Sequence, residues 1–142
     1  MTYVIVYTKE KGRLELTEQE YDMGSSIETL HREDGPAVEW TSDGNTHWYK
    51  DGFLHREDGP AVEEENRGYR VWYMNGIMHR EDGPALEYSS GFLHWYLDGK
   101  QYSKEGFNEI IKEIDSLDLA LGLTDPREWV RNRWKKMIQK KD

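Results

Sequence analysis

Apolar and polar positions alternate in short bursts along most of the chain and change period only near its end. Tyr3-Val4-Ile5-Val6-Tyr7 reads as a strand, Lys9 to Gly12 as a turn, and the acidic stretch from Arg13 to Glu28 is ambiguous. One long string then recurs: LHREDGPAVEW from Leu30, LHREDGPAVEE from Leu54 and MHREDGPALEY from Met78, each copy 24 residues after the last. A second shared string keeps pace with it, as Trp48-Tyr49-Lys50-Asp51-Gly52, Trp72-Tyr73-Met74-Asn75-Gly76 and Trp95-Tyr96-Leu97-Asp98-Gly99. Asp-Gly or Asn-Gly between β-formers is a strong hairpin signal, because a type I′ turn needs positive φ at both central residues. Glu-Asp-Gly-Pro supplies a second turn, and its Pro marks a strand start. Each repeat is therefore predicted to hold two short strands and two turns, with side chains alternating along Leu54-His55-Arg56-Glu57.

Beyond Ser103 the period becomes helical. Phe107, Ile110, Ile111 and Ile114 fall on one face, Leu117 and Leu121 prolong it, and Gly122 is placed to stop it. A last helix is predicted from Asp125-Pro126, with Val130, Trp134, Met137 and Ile138 as its apolar stripe. The copy after Trp95 continues as KQYSKEG without His-Arg-Glu-Asp-Gly, which closes the array. The fold class is thus mainly β: an antiparallel β-hairpin repeat array of 24-residue units with a C-terminal two-helix segment. Residues 1–29 form an N-terminal β cap, 30–102 the hairpin repeats and 103–142 the helices, all one domain, in which stacked units contact their neighbours.

Composition adds constraints. Of 142 residues, 33% are charged, and 6 Trp, 9 Tyr and 3 Phe accompany a lean aliphatic complement, so aromatic rings are expected to carry much of the packing. Without cysteine there is no disulfide framework, thiolate nucleophile or zinc-thiolate site, and no apolar run approaches the ~20 residues that span a bilayer. A cytoplasmic protein is the expectation. The net charge of -9 is unevenly spread: 10 basic and 20 acidic residues precede Lys104, whereas the last helix gathers Arg127, Arg131, Arg133, Lys135, Lys136, Lys140 and Lys141. An acidic sheet disfavours direct nucleic-acid binding and steers toward partners of positive charge.

The strings LHREDGPAVE, MHREDGPALE and WYxDG or WYxNG, with a short tail rich in Trp and Arg, resemble the HREDGPA-type repeat proteins of tailed bacteriophages and giant viruses. More distantly they are similar to membrane occupation and recognition nexus repeats and to antitoxin-like proteins sharing a W-Y-x-N-G hairpin. The resemblance spans Leu30 to about Gly99 and implies a β-hairpin array from a phage-type genome, acting in the bacterial host cytoplasm. It assigns no catalytic residue. Accessory proteins of such genomes often disable host defence proteins. The inserted His-Arg-Glu-Asp departs from the nexus repeats, so their lipid binding is not carried over.

The recurring residues are His31, Arg32 and Asp34, then His55, Arg56 and Asp58, then His79, Arg80 and Asp82. As sites, each Arg would grip a carboxylate or phosphate and each His would tune it. As a structural ladder, each Arg would pair with an acid of the next repeat, Asp would cap the turn and His would bond backbone. Catalysis seldom needs three equivalent copies, whereas a repeat needs the same joint at every junction, so the ladder is preferred. The five histidines lie too far apart for metal-ligand pairs, no nucleophile elbow or phosphate loop occurs, and no cofactor, metal or enzyme activity is expected. The pairs Trp48/Tyr49, Trp72/Tyr73 and Trp95/Tyr96 are candidate binding residues: one ring of each is expected in the core and the other on a protein-binding face. Arg127, Arg131, Trp134 and Lys135 mark a possible partner helix, or a helix docked on the sheet end. These readings converge on a non-enzymatic inhibitor of a host defence protein, such as a CRISPR effector or nuclease, whose surface is basic. The alternatives are a nucleotide-signal sponge using Arg32, Arg56 and Arg80 with stacked rings, or a carbohydrate- or choline-binding module.

Overall fold

The computed structural model describes residues 2–24, 29–120 and 122. Val-rich alternation at the N-terminus forms β1 (Tyr3–Thr8), which turns through residues 9–11 into β2 (Gly12–Thr17). The ambiguous stretch that follows contains α1 (Glu18–Asp22), started by a capping box in which Thr17 and Glu20 each bond the other's backbone N–H. The repeats supply β3 (Val38–Trp40), β4 (Thr46–His47), β5 (Tyr49–Lys50) and β6 (Phe53–Leu54), then β7 (Val62–Glu64), β8 (Tyr69–Val71), β9 (Tyr73–Met74) and β10 (Ile77–Met78). β11 (Leu86–Tyr88), β12 (Leu93–Leu97), β13 (Lys100–Tyr102) and α2 (Lys104–Ala120) complete the described chain.

Nine strands make one antiparallel sheet in the order β13-β12-β11-β8-β7-β4-β3-β1-β2, while β5-β6 and β9-β10 form separate small hairpins. The mainly β antiparallel class is therefore as expected, but each unit is richer than two strands and two turns. The Trp-Tyr string does form hairpins with Asp51, Asn75 and Asp98 at φ 50, 49 and 52 followed by positive-φ glycines. A second hairpin joins β3 to β4, β7 to β8 and β11 to β12, through loops containing the positive-φ glycines Gly44, Gly68 and Gly91. Its strands build the large sheet. The expected alternation along Leu54-His55-Arg56-Glu57 stops at Leu54, because the His-Arg-Glu-Asp-Gly segment is a non-strand connection between the two kinds of hairpin.

Sheet register separates two faces. Leu14, Val6, Val38, His47, Val62, Val71, Leu86 and His94 oppose one another in turn as one row across eight strands. On the other face the adjacent row reads Glu15, Ile5, Glu39, Thr46, Glu63, Arg70, Glu87 and Leu93. The core belongs to the first face, where Val4, Val6 and Val38 are fully buried and Leu14, Leu16, Tyr21, Leu30, Trp40 and Tyr49 pack on them. Aromatic rings, Tyr49 of the first Trp-Tyr pair among them, surround this Val cluster and do not form its centre. Among the described residues the buried apolar side chains are Val, Ala, Met74, Leu97 and Phe107, whereas Trp48, Trp72 and Trp95 are half-buried. The alanines of the repeated string, Ala37, Ala61 and Ala85, are all fully buried, and small side chains there suit close approach of backbone.

At the other end of the sheet, Ser103 accepts the Gly106 N–H at 3.1 Å on its Oγ and the Phe107 N–H at 2.9 Å on its carbonyl, starting α2. Phe107 is buried against the sheet end, Ile110, Ile111 and Ile114 share its partly buried face, and Gly122 at φ 75 lies just beyond. The predicted last helix, with Arg127, Arg131, Trp134 and Lys135, lies outside the described residues.

Candidate binding surface

Each His-Arg-Glu-Asp-Gly segment places its guanidinium in the same closed setting. Arg56 donates from Nε to Asp58 at 2.9 Å and from Nη1 to the Pro60 carbonyl at 3.1 Å and to Glu63 at 3.0 Å. Its Cζ stands 4.0 Å above the centre of the Trp48 ring. Arg80 repeats this with Asp82, the Pro84 carbonyl, Glu87 and Trp72, and Arg32 with Asp34, the Pro36 carbonyl, Glu39 and Tyr7. The opposite side of the guanidinium is closed by glycine: a Cβ at Gly35, Gly59 or Gly83 would lie 2.7, 2.9 or 2.9 Å from the Arg Cζ. Glycine recurs in the string because an arginine lies on it.

The acids that hold each Arg therefore come from its own string and not from the next repeat, which corrects that expectation. A planar fork is needed for three acceptors in one plane beneath a ring, which explains Arg over Lys. Sequence reasoning missed Glu39, Glu63 and Glu87, although each follows Gly-Pro-Ala by two residues in every copy. It also missed Tyr7. The bonds from Tyr7 N–H to Ala37 and from His31 N–H to Tyr7 match those of Trp48 with Ala61 and His55, and of Trp72 with Ala85 and His79. β1 thus fills the place of a Trp-Tyr string for the first unit.

The next unit is joined by backbone bonds and by histidine. Arg32, Arg56 and Arg80 donate their backbone N–H to the carbonyls of Tyr49, Tyr73 and Tyr96, and Gly52, Gly76 and Gly99 donate to Leu30, Leu54 and Met78. The N–H of each left-handed turn residue, Asp51, Asn75 or Asp98, is donated to Nδ1 of His31, His55 or His79 at 2.9–3.0 Å. An accepting Nδ1 places the ring proton on Nε2, which in His31 meets Glu33 at 2.9 Å. Burial lowers the pKa of His55, opposed by Glu57, and Lys50 lowers it further. His47, bonded to Glu64 at 2.9 Å beside Trp40, is also lowered by burial.

The two rings of a Trp-Tyr pair have different surroundings. Trp48 and Trp72 each carry an arginine on one ring face. At Trp95 the position eight residues on is Ser103, the cap of α2, instead of Arg. Tyr49 packs on the Val core, and Tyr21, Tyr49, Tyr73 and Tyr96 follow one another closely enough for each hydroxyl to raise the preceding one's pKa. Burial is the larger cause in Tyr21, Tyr49 and Tyr73, and in Tyr21 it acts with Tyr49 and Asp22 to push the value up to about 12.

The carboxylates of the strings reach solvent, as do Arg70 and Leu93 of the second-face row. Asp34, Asp58 and Asp82 are 89%, 74% and 84% exposed although each holds an Arg Nε, and Glu33 and Glu57 are exposed beside them. Each string carries three carboxylates for one guanidinium, and two of them bond it. Arg70 interrupts the row between Glu63 and Glu87 and is itself paired with Glu65 at 3.3 Å. Among the described residues, no group of three His, Asp or Glu is placed to hold a metal ion, and no helix is long and apolar enough to cross a membrane. Comparison of the chain with protein families, curated proteins and solved structures finds no match.

Proposed function

We propose that the chain is a non-enzymatic binding protein whose acidic strip, built on Glu39, Glu63, Glu87 and the aspartates beside them, receives a basic surface of a partner protein. One observation carries the reading: the guanidinium of every string is already enclosed by two carboxylates, a carbonyl and a ring, so the strip keeps a regular excess of negative charge. Such a field raises encounter rates with positive partners and repels phosphate backbones. A nucleotide sponge gripping phosphate with the two-nitrogen fork would have to displace an acceptor from Nε or Nη1, which Asp, Glu and a proline carbonyl occupy. Taken with the resemblance to phage-type repeats, the partner is a host defence protein with a nucleic-acid groove, such as a CRISPR effector or nuclease.

Affinity capture from bacterial lysate with the wild-type chain and with a Glu33→Lys/Glu57→Lys variant, read by mass spectrometry, tests this. The expected result is a nucleic-acid-binding protein recovered by the wild type, displaced by salt and lost in the variant. Recovery of no specific protein, or equal recovery by both chains, overturns it. Purified protein carrying absorbance at 260 nm from a bound nucleotide would also count against it.

A further inference from the structure

The large sheet ends at β2, and among the described residues no strand pairs with its outer side. α1 sends Tyr21 back over the apolar face onto Trp40, ring centres 5.4 Å apart. Which backbone groups face outward follows from register. Tyr7 uses both its N–H and its carbonyl toward the repeats, with Ala37 and His31, so its neighbour Arg13 on β2 is not hydrogen-bonded to it. Alternation then leaves Arg13 and Glu15 with N–H and carbonyl pointing away from the sheet, while Leu14 and Leu16 bond inward.

We propose that this edge pairs with the β2 edge of a second copy of the chain, Arg13 opposite the second copy's Glu15 and Leu14 opposite its own equivalent at the two-fold axis. Antiparallel pairing requires outward residues to oppose outward residues, which restricts the register to Arg13 on Arg13, Arg13 on Glu15, or Glu15 on Glu15. The first and third oppose like charges directly, and the second opposes unlike charges twice. That register makes four backbone bonds, continues the Leu14-Val6-Val38 row on the apolar face, and brings the turn bearing Lys11 toward Glu18 and Glu20 at the start of the second copy's α1. Lys11 in the turn, Arg13 and Glu15 on β2 and Glu18 in α1 are exposed, and the Arg13–Glu15 pair that each chain forms at 2.9 Å would join its equivalent across the axis in a ring of four alternating charges. A sheet edge with alternating unlike charges is thereby selective for itself in one register.

Sedimentation velocity of the full chain at low salt is the test. Wild type is expected to form a concentration-dependent dimer. Arg13→Glu and Glu15→Arg, each of which sets like charges opposite at both symmetric positions, are expected to weaken it on the order of thirtyfold. Mixing the two single variants restores association as a heterodimer, because the carboxylate introduced in one chain then meets the guanidinium introduced in the other. The double variant Arg13→Glu/Glu15→Arg also dimerises. A wild type that stays monomeric up to millimolar concentration, or a dimer indifferent to both reversals, overturns the proposal.

Discussion

Truncating the middle arginine, Arg56→Ala, removes a group that is only 20% exposed and serves four partners. The Trp48 stack contributes about 1–2 kcal/mol in a partly desolvated setting, and the bond to the Pro60 carbonyl about 1 kcal/mol. The two carboxylates add less, since Asp58 is largely exposed and Glu63 is 30% exposed, so together they contribute about 0.5–1 kcal/mol. The expected loss is therefore about 3 kcal/mol, which for a chain of this length lowers Tm by roughly 10 °C. Arg56→Lys keeps the charge but cannot fork beneath a ring, and is expected to recover less than half of that loss. Thermal unfolding followed by near-ultraviolet circular dichroism measures both, with Trp48 as a reporter beside the substitution. A Tm shift under about 2 °C for Arg56→Ala, or full recovery by lysine, refutes the enclosed-guanidinium reasoning.

Other consequences are equally open to measurement. Gly59→Ala places a Cβ against the Arg56 Cζ, and despite the chain-entropy gain of about 0.4–1 kcal/mol it is expected to lower the urea midpoint by displacing the guanidinium from Trp48. Asn75→Val forces a β-branched residue to φ 49 and is expected to cost about 1–2 kcal/mol, whereas Asn75→Gly costs little; chemical denaturation separates them. His55 and His47 have folded pKa values below their ordinary ones because of burial, so the unfolded chain binds their protons more tightly. Their stability contribution is complete above the unfolded pKa of about 6.5 and is lost as pH falls below it toward the folded values. Tm measured from pH 8 to pH 5 should decline, and replacement of His47 by Phe should reduce the decline; a flat profile speaks against both assignments.

The elements legible in the chain are those whose local chemistry admits one backbone. Asp51-Gly52, Asn75-Gly76 and Asp98-Gly99 specify tight turns because few residues adopt two successive positive φ values. Phe107, Ile110, Ile111 and Ile114 specify a helix face by period. The β3-β4, β7-β8 and β11-β12 hairpins were not legible, because all of their strands but β12 have only two or three residues and show no period, and Glu-Glu-Asn-Arg-Gly resembles any polar loop. For the candidate surface, repetition pointed to His, Arg and Asp, but pairing required register. Glu63 meets Arg56 only because Pro60 and Ala61 lead the chain back into the sheet. Which ring of a Trp-Tyr pair turns to the core also needed register: Tyr49 packs on the Val cluster, whereas Trp48 covers an arginine.

The reading of the surface depends on the three guanidinium groups serving the fold, each with Nε and Nη1 engaged by Asp, Glu and a proline carbonyl, and not a ligand. Heteronuclear magnetic resonance of the arginine Nε–H groups observes it directly. For Arg32, Arg56 and Arg80 the expected result is separate signals, shifted upfield by the rings of Tyr7, Trp48 and Trp72, slow to exchange with solvent and unmoved by added nucleotide. Signals that coincide with those of exposed arginines, exchange rapidly, or shift when nucleotide is added would contradict it.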